Sequence, residues 1–396
     1  MAGKDWPLLP FGELTDNFDG RRVPVKGLDR KPGPYPYYGA SGIVDRVDGY
    51  LFDGEYLLIG EDGENLRTRK TPIAFIATGK FWVNNHAHIV SANHRANTRF
   101  LAYALSQTDI SGYLTGSTMP KLTQGNLNRI PIIAPPLAEQ QGIAEVLQRL
   151  DDKIELNQRM NATLGTMAQA LFKSWFVDFD PVRAKLDGRA PIGLDQATAA
   201  LFPSRFEHKT DGIIPCGWSH KKWGQVATLE YGKGLRDYRE DGGKYRVFGT
   251  NGPIGWHDEF ICEGAGIVVG RKGAYRGIHY SPDSFFVIDT AFFLKPLQPV
   301  DINWCYYELV RLDINSMDSG SAIPSTSRDD FYGLRVTVPP LGVQAAFGEI
   351  ISRFSAKIAA NDKQSRTLAT LRDTLLPKLL SGELSVSALE SMHDPP

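Results

Sequence analysis

Cysteine is scarce in this chain: there are three in 396 residues, Cys216, Cys262 and Cys305, and none is spaced as CxxC. That spacing supports neither a disulfide framework nor a zinc site, and each cysteine reads as a small buried side chain. Long apolar runs are also missing. No stretch approaches the roughly 20 residues of a membrane span, and MAGKDWPLLPFGE at the start has no signal-peptide core. A cytoplasmic protein with no membrane partner is therefore expected. Net charge is nearly absent at −1, so attraction to a polyanion must come from local patches. A nucleotide-binding GxxxxGK[ST] is lacking, because ATGKFW has neither the upstream glycine nor the hydroxyl. The glycine-rich EGAGIVVG turns into a strand with no helix behind it to cradle a phosphate.

What the sequence does contain is a repeat. APPLAEQQGIAEVLQRLDDKIELN begins at Ala134, and VPPLGVQAAFGEIISRFSAKIAAN begins at Val338 with the same landmarks in order. Pro135, Pro136, Leu137, Gln140, Glu145, Ile154 and Asn157 recur as Pro339, Pro340, Leu341, Gln344, Glu349, Ile358 and Asn361, each 204 residues later. The same offset matches Gly116, Ser117 and Pro120 to Gly320, Ser321 and Pro324, and FWVNNHAHIV at Phe81 to FFVIDTAFFL at Phe285. Upstream it shifts to 210, matching YYGASG at Tyr37 to VFGTNG at Val247 and LLIGEDG at Leu57 to IVVGRKG at Ile267. A period this long is not a solenoid repeat. It implies two related globular units, each followed by a long helix.

Within each unit, short β runs (YLLIG, IAFIA, GIVVG, FFVID) alternate with Gly, Asn and Asp turns, with one helical stretch near Phe100 and Trp304. The fold class expected is α+β: two tandem, duplicated domains with curled β-sheets, separated by two long helices. The expected organisation is a globular unit at 1–136, a helix at 137–177, a Pro- and Gly-rich connector at 178–214, a second unit at 215–338, a second helix at 339–384 and a tail at 385–396. In the helices, Leu147, Leu150, Ile154, Asn157, Leu164 and Leu171, and Ile351, Phe354, Ile358, Asn361, Leu368 and Leu375, form seams of 3.5-residue period with charged flanks. That is a coiled-coil pattern, and each narrow seam calls for a partner helix. Proline fits just before each helix, where a missing N–H costs nothing. At 1.5 Å per residue, about 40 residues give ~60 Å of rod. Antiparallel pairing would make one chain pseudo-twofold and bring Asn157 and Asn361 together at the centre as a polar register mark. Leu171, Phe172, Trp175, Phe176 and Phe179 are more aromatic than such a seam needs, and read as core against the globular unit, with a partner-binding surface as the alternative.

The chain as a whole resembles the specificity subunits of type I restriction-modification systems. The residues that carry the resemblance are GSTMPKLTQGNLNRIPIIAPPLAEQQGIAEVL, LDDKIELNQRMN and LFKSWFVDFDP in the first half, with PPLGVQAAFGEI and LRDTLLPKLLSGEL in the second. The resemblance implies two target-recognition domains, each reading one part of a split double-stranded DNA target, with the helices setting the gap and docking two methyltransferase subunits. It also implies that S-adenosylmethionine resides on those partners, that ATP and Mg²⁺ reside on motor-nuclease subunits, and that this chain binds no cofactor. In keeping with that, neither Pro-Pro pair sits in the Asp/Asn-Pro-Pro-aromatic setting of amino-methyltransferases, and no catalytic residue is expected. Two other functions compete: a scaffold that does not read sequence, and a self-contained restriction-methylation enzyme, which would need further domains.

Local charge marks where DNA would be met. Arg21, Arg22, Lys26, Arg30 and Lys31 cluster in DGRRVPVKGLDRK, Lys233, Arg236 and Arg239 in the matching EYGKGLRDYRE, Arg67, Arg69 and Lys70 in NLRTRK, and Arg271, Lys272, Tyr275 and Arg276 in RKGAYRG. Such loops supply phosphate contacts and, through arginine, guanine readout. Ser117, Thr118 and Lys121, with Ser321, precede the helices and either meet the backbone or form a turn. The second copy has no counterpart of Lys121. GEDGENL and its counterpart GRKGAYR have opposite charge, which excludes a shared catalytic role and points to a difference in target. His86 and His88 lie on one face of an expected strand, but their equivalents Thr290 and Phe292 are not a metal pair, so no metal is expected.

Overall fold

The computed structural model describes residues 6–210, 212–240, 242–317 and 324–387; Ser321 lies outside them. The chain divides into two compact units, Met1–Gln158 with Asp362–Pro396, and Arg159–Asn361. Each of the two 40-residue helices, Leu137–Phe176 and Leu341–Leu380, gives one segment to each unit.

In the first unit, Leu8–Pro10 pairs antiparallel with Pro131–Ile133, and Ala134 N–H donates to Pro7 O at 2.8 Å. The main sheet has six strands in the order Thr15–Asn17, Ala87–Ala92, Phe52–Gly60, Ala74–Val83, Pro32–Gly39, Gly42–Val47. All neighbours are antiparallel except Pro32–Gly39 and Ala74–Val83, which run parallel. Apolar residues of Phe52–Gly60 point alternately to two faces, as strand geometry requires. Leu57 and Ile59 pack with Phe100, Leu101 and Leu105 of the helix Thr98–Gln107, and Leu58 packs with Phe52, Phe81 and Ile89.

The second unit repeats these connections with one difference. Ser219–Lys222 pairs with Arg335–Val338, a sheet runs Ala227–Tyr231, Ala291–Pro296, Gly266–Gly270, Ile278–Ser281, and a separate three-stranded sheet runs Gly252–His257, Tyr245–Gly249, Phe285–Val287. Ala74–Val83 is one unbroken strand in the first unit; at the 204 offset its counterpart is interrupted after Ser281. Pro282 is the physical reason, since it has no N–H for a ladder and cannot sit inside a paired central strand. The connector holds two short helices, Asp180–Leu186 and Gln196–Ala200, and a hairpin of Phe206–Lys209 with Gly212–Pro215. Phe172, Trp175 and Phe176 are buried here against Phe347, Phe202 and Trp218, so the aromatic stripe is core in this unit. Cys262 and Cys305 are buried; Cys216, in the turn after Pro215, is only half-buried.

The helix segments run in opposite directions within each unit. In the first unit, Asn157 Nδ2 donates to Gln364 Oε1 at 3.0 Å and Ser365 Oγ at 3.2 Å, and Asp151 Oδ1 accepts from Arg372 at 2.7 Å, so numbers fall on one segment as they rise on the other. In the second unit, Asn361 Nδ2 donates to Asn161 Oδ1 at 2.8 Å and Phe347 meets Phe172 and Phe176. Asn157 and Asn361 are buried, with Leu147 and Ile351. Leu150, Ile154, Leu164, Leu171, Phe354, Ile358, Leu368 and Leu375 are half-buried. Among the described residues, no helix is long and apolar enough to cross a membrane.

Each long helix starts the same way. Pro136 O accepts from Gln140 N–H at 3.1 Å, and Pro340 O from Gln344 N–H at 3.2 Å. Both glutamine side chains are buried at 1% exposure. Gln140 Oε1 accepts the Asn97 N–H and Gln344 Oε1 the Asp301 N–H, while each Nε2 donates to the first proline's carbonyl. Asn97 and Asp301 are themselves the N-caps of Thr98–Gln107 and Ile302–Val310. The repeated glutamine therefore ties each long helix to the short helix of its own unit.

Candidate nucleic-acid interface

Two loops meet at the same place in each unit. In the first, the chain leaves Phe52–Gly60 and turns at Gly63, whose φ of +113° favours glycine. Gly63 N–H donates to Pro120 O at 3.1 Å, Leu122 N–H to Glu61 O at 2.8 Å, and Asp62 bridges Lys121. In the second, the turn is at Gly273 with φ +117°, Gly273 N–H donates to Pro324 O at 2.9 Å, Thr326 N–H to Arg271 O at 2.9 Å, and Lys272 bridges Ser325. The backbone frame is shared and the side chains on it differ in sign. Asp62 faces Lys121 in one unit; Lys272 faces Ser325 in the other.

The loop carboxylates of the first unit find partners within the unit. Glu61 pairs with Arg22 at 2.7 Å and Lys121 at 3.2 Å, and Asp62 with His86 at 2.8 Å. Beneath them, buried His88 has Nδ1 at 2.5 Å from Asp19 Oδ2, and its Nε2 donates to Leu122 O at 2.7 Å. Burial pushes the Asp19 and Glu61 carboxyls up, but hydrogen bonds and charges from His88 and Arg22, joined at Glu61 by Lys121, hold both below their ordinary values. His86 lies in the turn before Ala87–Ala92 rather than on the strand, which corrects the expectation that the two histidines share a strand face. Burial pushes the Cys262 thiol up to about 12 and raises that of Cys305, so neither is a ready nucleophile.

Several arginines expected to face DNA turn inward. Arg276 is 4% exposed, and its guanidinium donates to Gly273 O, Ile314 O and Asn315 O, closing the loop it belongs to. Arg69 takes a left-handed φ of 48° at the end of a short helical turn and donates to Ser106 O and Thr108 O. Arg22 donates to Ala87 O as well as pairing with Glu61. Arg30 holds Val25 O and Asp45 and lies over the Tyr37 ring. In each case a guanidinium fork satisfies carbonyls or a carboxylate that the sequence places far away. Arg67 is exposed and also donates to Gly116 O and Ser117 O.

The remaining expected residues lie on the surface. Lys26, Lys31, Lys70, Lys233 and Arg236 are exposed, with no ion pair among the described residues. Ser117, Thr118 and Lys121 are exposed. Arg21 is exposed, with its guanidinium over Phe52. Arg239 is exposed and paired with Asp258 at 2.6 Å, and Tyr275 is 81% exposed. Lys272 and Arg271 are partly exposed. Sequence reasoning missed Asp19, Tyr231 and Arg328; it weighed His88 only as a metal ligand and Glu61 only as part of GEDGENL. Arg328 is followed by Asp329 and Asp330 and so carries no local basic signal.

Residues 3–165 match the family model of the type I restriction modification DNA specificity domain. A putative type I restriction enzyme specificity subunit of Haemophilus influenzae is 39% identical over 150 residues, 38% of each chain. The type I restriction enzyme MjaIX specificity subunit of Methanocaldococcus jannaschii is 24% identical across 98% of this chain and 95% of its own. The fold is that of a crystal structure of the type I restriction-modification system S subunit from M. genitalium, with a TM-score of 0.66 and 18% identity over 96% of this chain and 99% of that one. Residues 3–165 are thus similar to a type I restriction modification DNA specificity domain. Over nearly its whole length the chain is similar to a type I specificity subunit.

Proposed function

We propose that this chain supplies DNA sequence specificity to a type I restriction-modification complex by reading a bipartite target, one half with each unit. The observation that carries this reading is the shared loop frame with opposite side-chain charge, Asp62 against Lys121 and Lys272 against Ser325. One scaffold displayed twice with different chemistry suits two different half-sites better than a single repeated contact. The units derive from an internal duplication, and the helices pair as an antiparallel coiled coil that sets the gap and docks two methyltransferase subunits. Exposed Arg21, Lys26, Lys31, Lys70, Lys233 and Arg236, with partly exposed Lys272, contact phosphates, while loop residues such as Tyr275 meet the grooves. The chain is non-catalytic and works in the cytoplasm. S-adenosylmethionine belongs to the methyltransferases, and ATP and Mg²⁺ to the motor-nuclease subunits.

The test is selection from randomised duplexes by the chain together with its methyltransferase partner. Two short fixed blocks around an indifferent gap are the expected result. Binding without enrichment would replace this reading with the scaffold. Inserting one heptad in each long helix adds about 10 Å of rod, and should lengthen the gap by about three base pairs or abolish assembly; an unchanged gap would remove the helices as the ruler.

A further inference from the structure

The second unit holds a basic cluster that the loop comparison does not account for. The Arg271 guanidinium lies 4.6 Å from the centre of the Tyr231 ring, and the Arg328 guanidinium lies 4.9 Å from the same centre. Tyr231 itself is 47% exposed at the end of Ala227–Tyr231. Each arginine is aimed by one backbone carbonyl: Arg271 donates to Asp289 O at 2.9 Å, and Arg328 to Leu229 O at 3.4 Å. The Arg271 backbone is fixed in turn by Thr326, whose N–H it receives and whose hydroxyl donates to Gly270 O at 2.8 Å.

Among the described residues no carboxylate pairs with Arg271, Lys272 or Arg328, even though Asp329 and Asp330 come next in the chain. Two guanidiniums sharing one ring repel each other, and the ring's attraction for cations only partly offsets this. Among the described residues, each guanidinium donates to one carbonyl only, so most of their ten N–H donors remain available to a ligand. The matching place in the first unit has the opposite arrangement, since Glu61 takes both Arg22 and Lys121. What completes the second unit's cluster is an anion with several acceptor oxygens. Arginine forks fit phosphate oxygens in pairs, and the tyrosine face holds them already oriented, so little order is lost on binding.

We infer that Arg271 and Arg328, oriented by Tyr231, form a clamp for a DNA backbone phosphate in the second unit, one that the first unit does not possess. This rests on the DNA-reading function proposed above and assigns part of it to named residues. The clamp carries salt-dependent affinity rather than base preference, because phosphates are the same in every sequence.

The full chain is titrated against a fluorescein-labelled duplex of about 30 base pairs with random sequence, over a range of NaCl. Arg328→Gln should lower the slope of log affinity against log salt by about 0.9, the value for one lost phosphate contact. Arg271→Gln should do the same, Tyr231→Leu should weaken binding, and Tyr231→Phe should bind as wild type because the ring remains. Lys209→Gln, on the connector hairpin and paired with Glu207 at 3.2 Å, should leave the slope unchanged. Thermal unfolding of Arg328→Gln at the wild-type midpoint separates lost contact from lost fold. An unchanged slope in folded Arg328→Gln and Arg271→Gln, with wild-type binding intact, overturns the clamp. So does a loss confined to particular sequences, which would make the contact one to a base. Absence of any wild-type binding at low salt would overturn the DNA-reading function itself and the clamp with it.

Discussion

Gln140 and Asn97 are joined across 43 residues of chain by a 2.9 Å bond from the Asn97 N–H to the Gln140 Oε1, while Gln140 Nε2 donates to Pro135 O and Arg95 O. Gln344 and Asp301 repeat the relationship. Gln140→Leu fills the volume but removes the partner of three backbone groups, one bond buried and two part-buried, at about 1–3 kcal/mol for the buried one and less for the others, which water can reach. Hydrogen exchange should accelerate by roughly tenfold or more at Asn97 and in the first turn of Thr98–Gln107. Unchanged protection there would show that the glutamine is not the tie.

The buried asparagines lead to the opposite expectation. Their partners Gln364, Ser365 and Asn161 are exposed or half-buried, so water can replace the lost bonds. Replacing both Asn157 and Asn361 by leucine should therefore raise the melting temperature while loosening the register of the helix segments. Calorimetry decides; a lower midpoint would mean that the polar contacts add net stability.

Acid should weaken the first unit through Asp19 and Glu61. Their ordinary values are 3.8 and 4.5, and both are lower in the fold, where burial is outweighed by His88 and Arg22 and, at Glu61, by Lys121. A carboxyl depressed by folding contributes stability that is full above its unfolded value and disappears as pH falls through its folded value. Unfolding midpoints should thus decline below about pH 4.5. Asp19→Asn should have a lower midpoint at neutral pH and a shallower acid decline. Parallel curves for the two proteins would exclude Asp19 as a source of the decline.

Arg276 and Lys31 should separate cleanly. Removing the buried guanidinium by Arg276→Ala leaves Gly273, Ile314 and Asn315 carbonyls without their donor, and should cost about 2–4 kcal/mol. Lys31→Ala removes an exposed side chain that has no ion pair among the described residues and should stay within about 0.5 kcal/mol of wild type, while lowering the salt dependence of DNA binding by about 0.9. Urea titration paired with binding measurements reads both. Equal effects on stability would place Lys31 in the fold rather than at the ligand.

Much of this protein was legible in its sequence because the signals are local or repeated. The long helices and their proline starts follow from short-range periodicity, whereas the split sheet of the second unit was not expected, although Pro282, at a position that is Thr78 in the first unit, explains it. The matched loops could be aligned by offset alone, including their opposite charge. Where each charged side chain points was decided only by tertiary structure. Arg276 finds its carbonyl partners at Ile314 and Asn315, Asp19 finds His88 69 residues away, and Arg328 reaches a ring 97 residues earlier. A long flexible side chain takes whichever acceptor or ring folding brings within about 3–5 Å, and residue order does not encode that neighbourhood. The sequence therefore determined that basic loops exist in both units; folding selected which cations are consumed internally and which are left for a ligand.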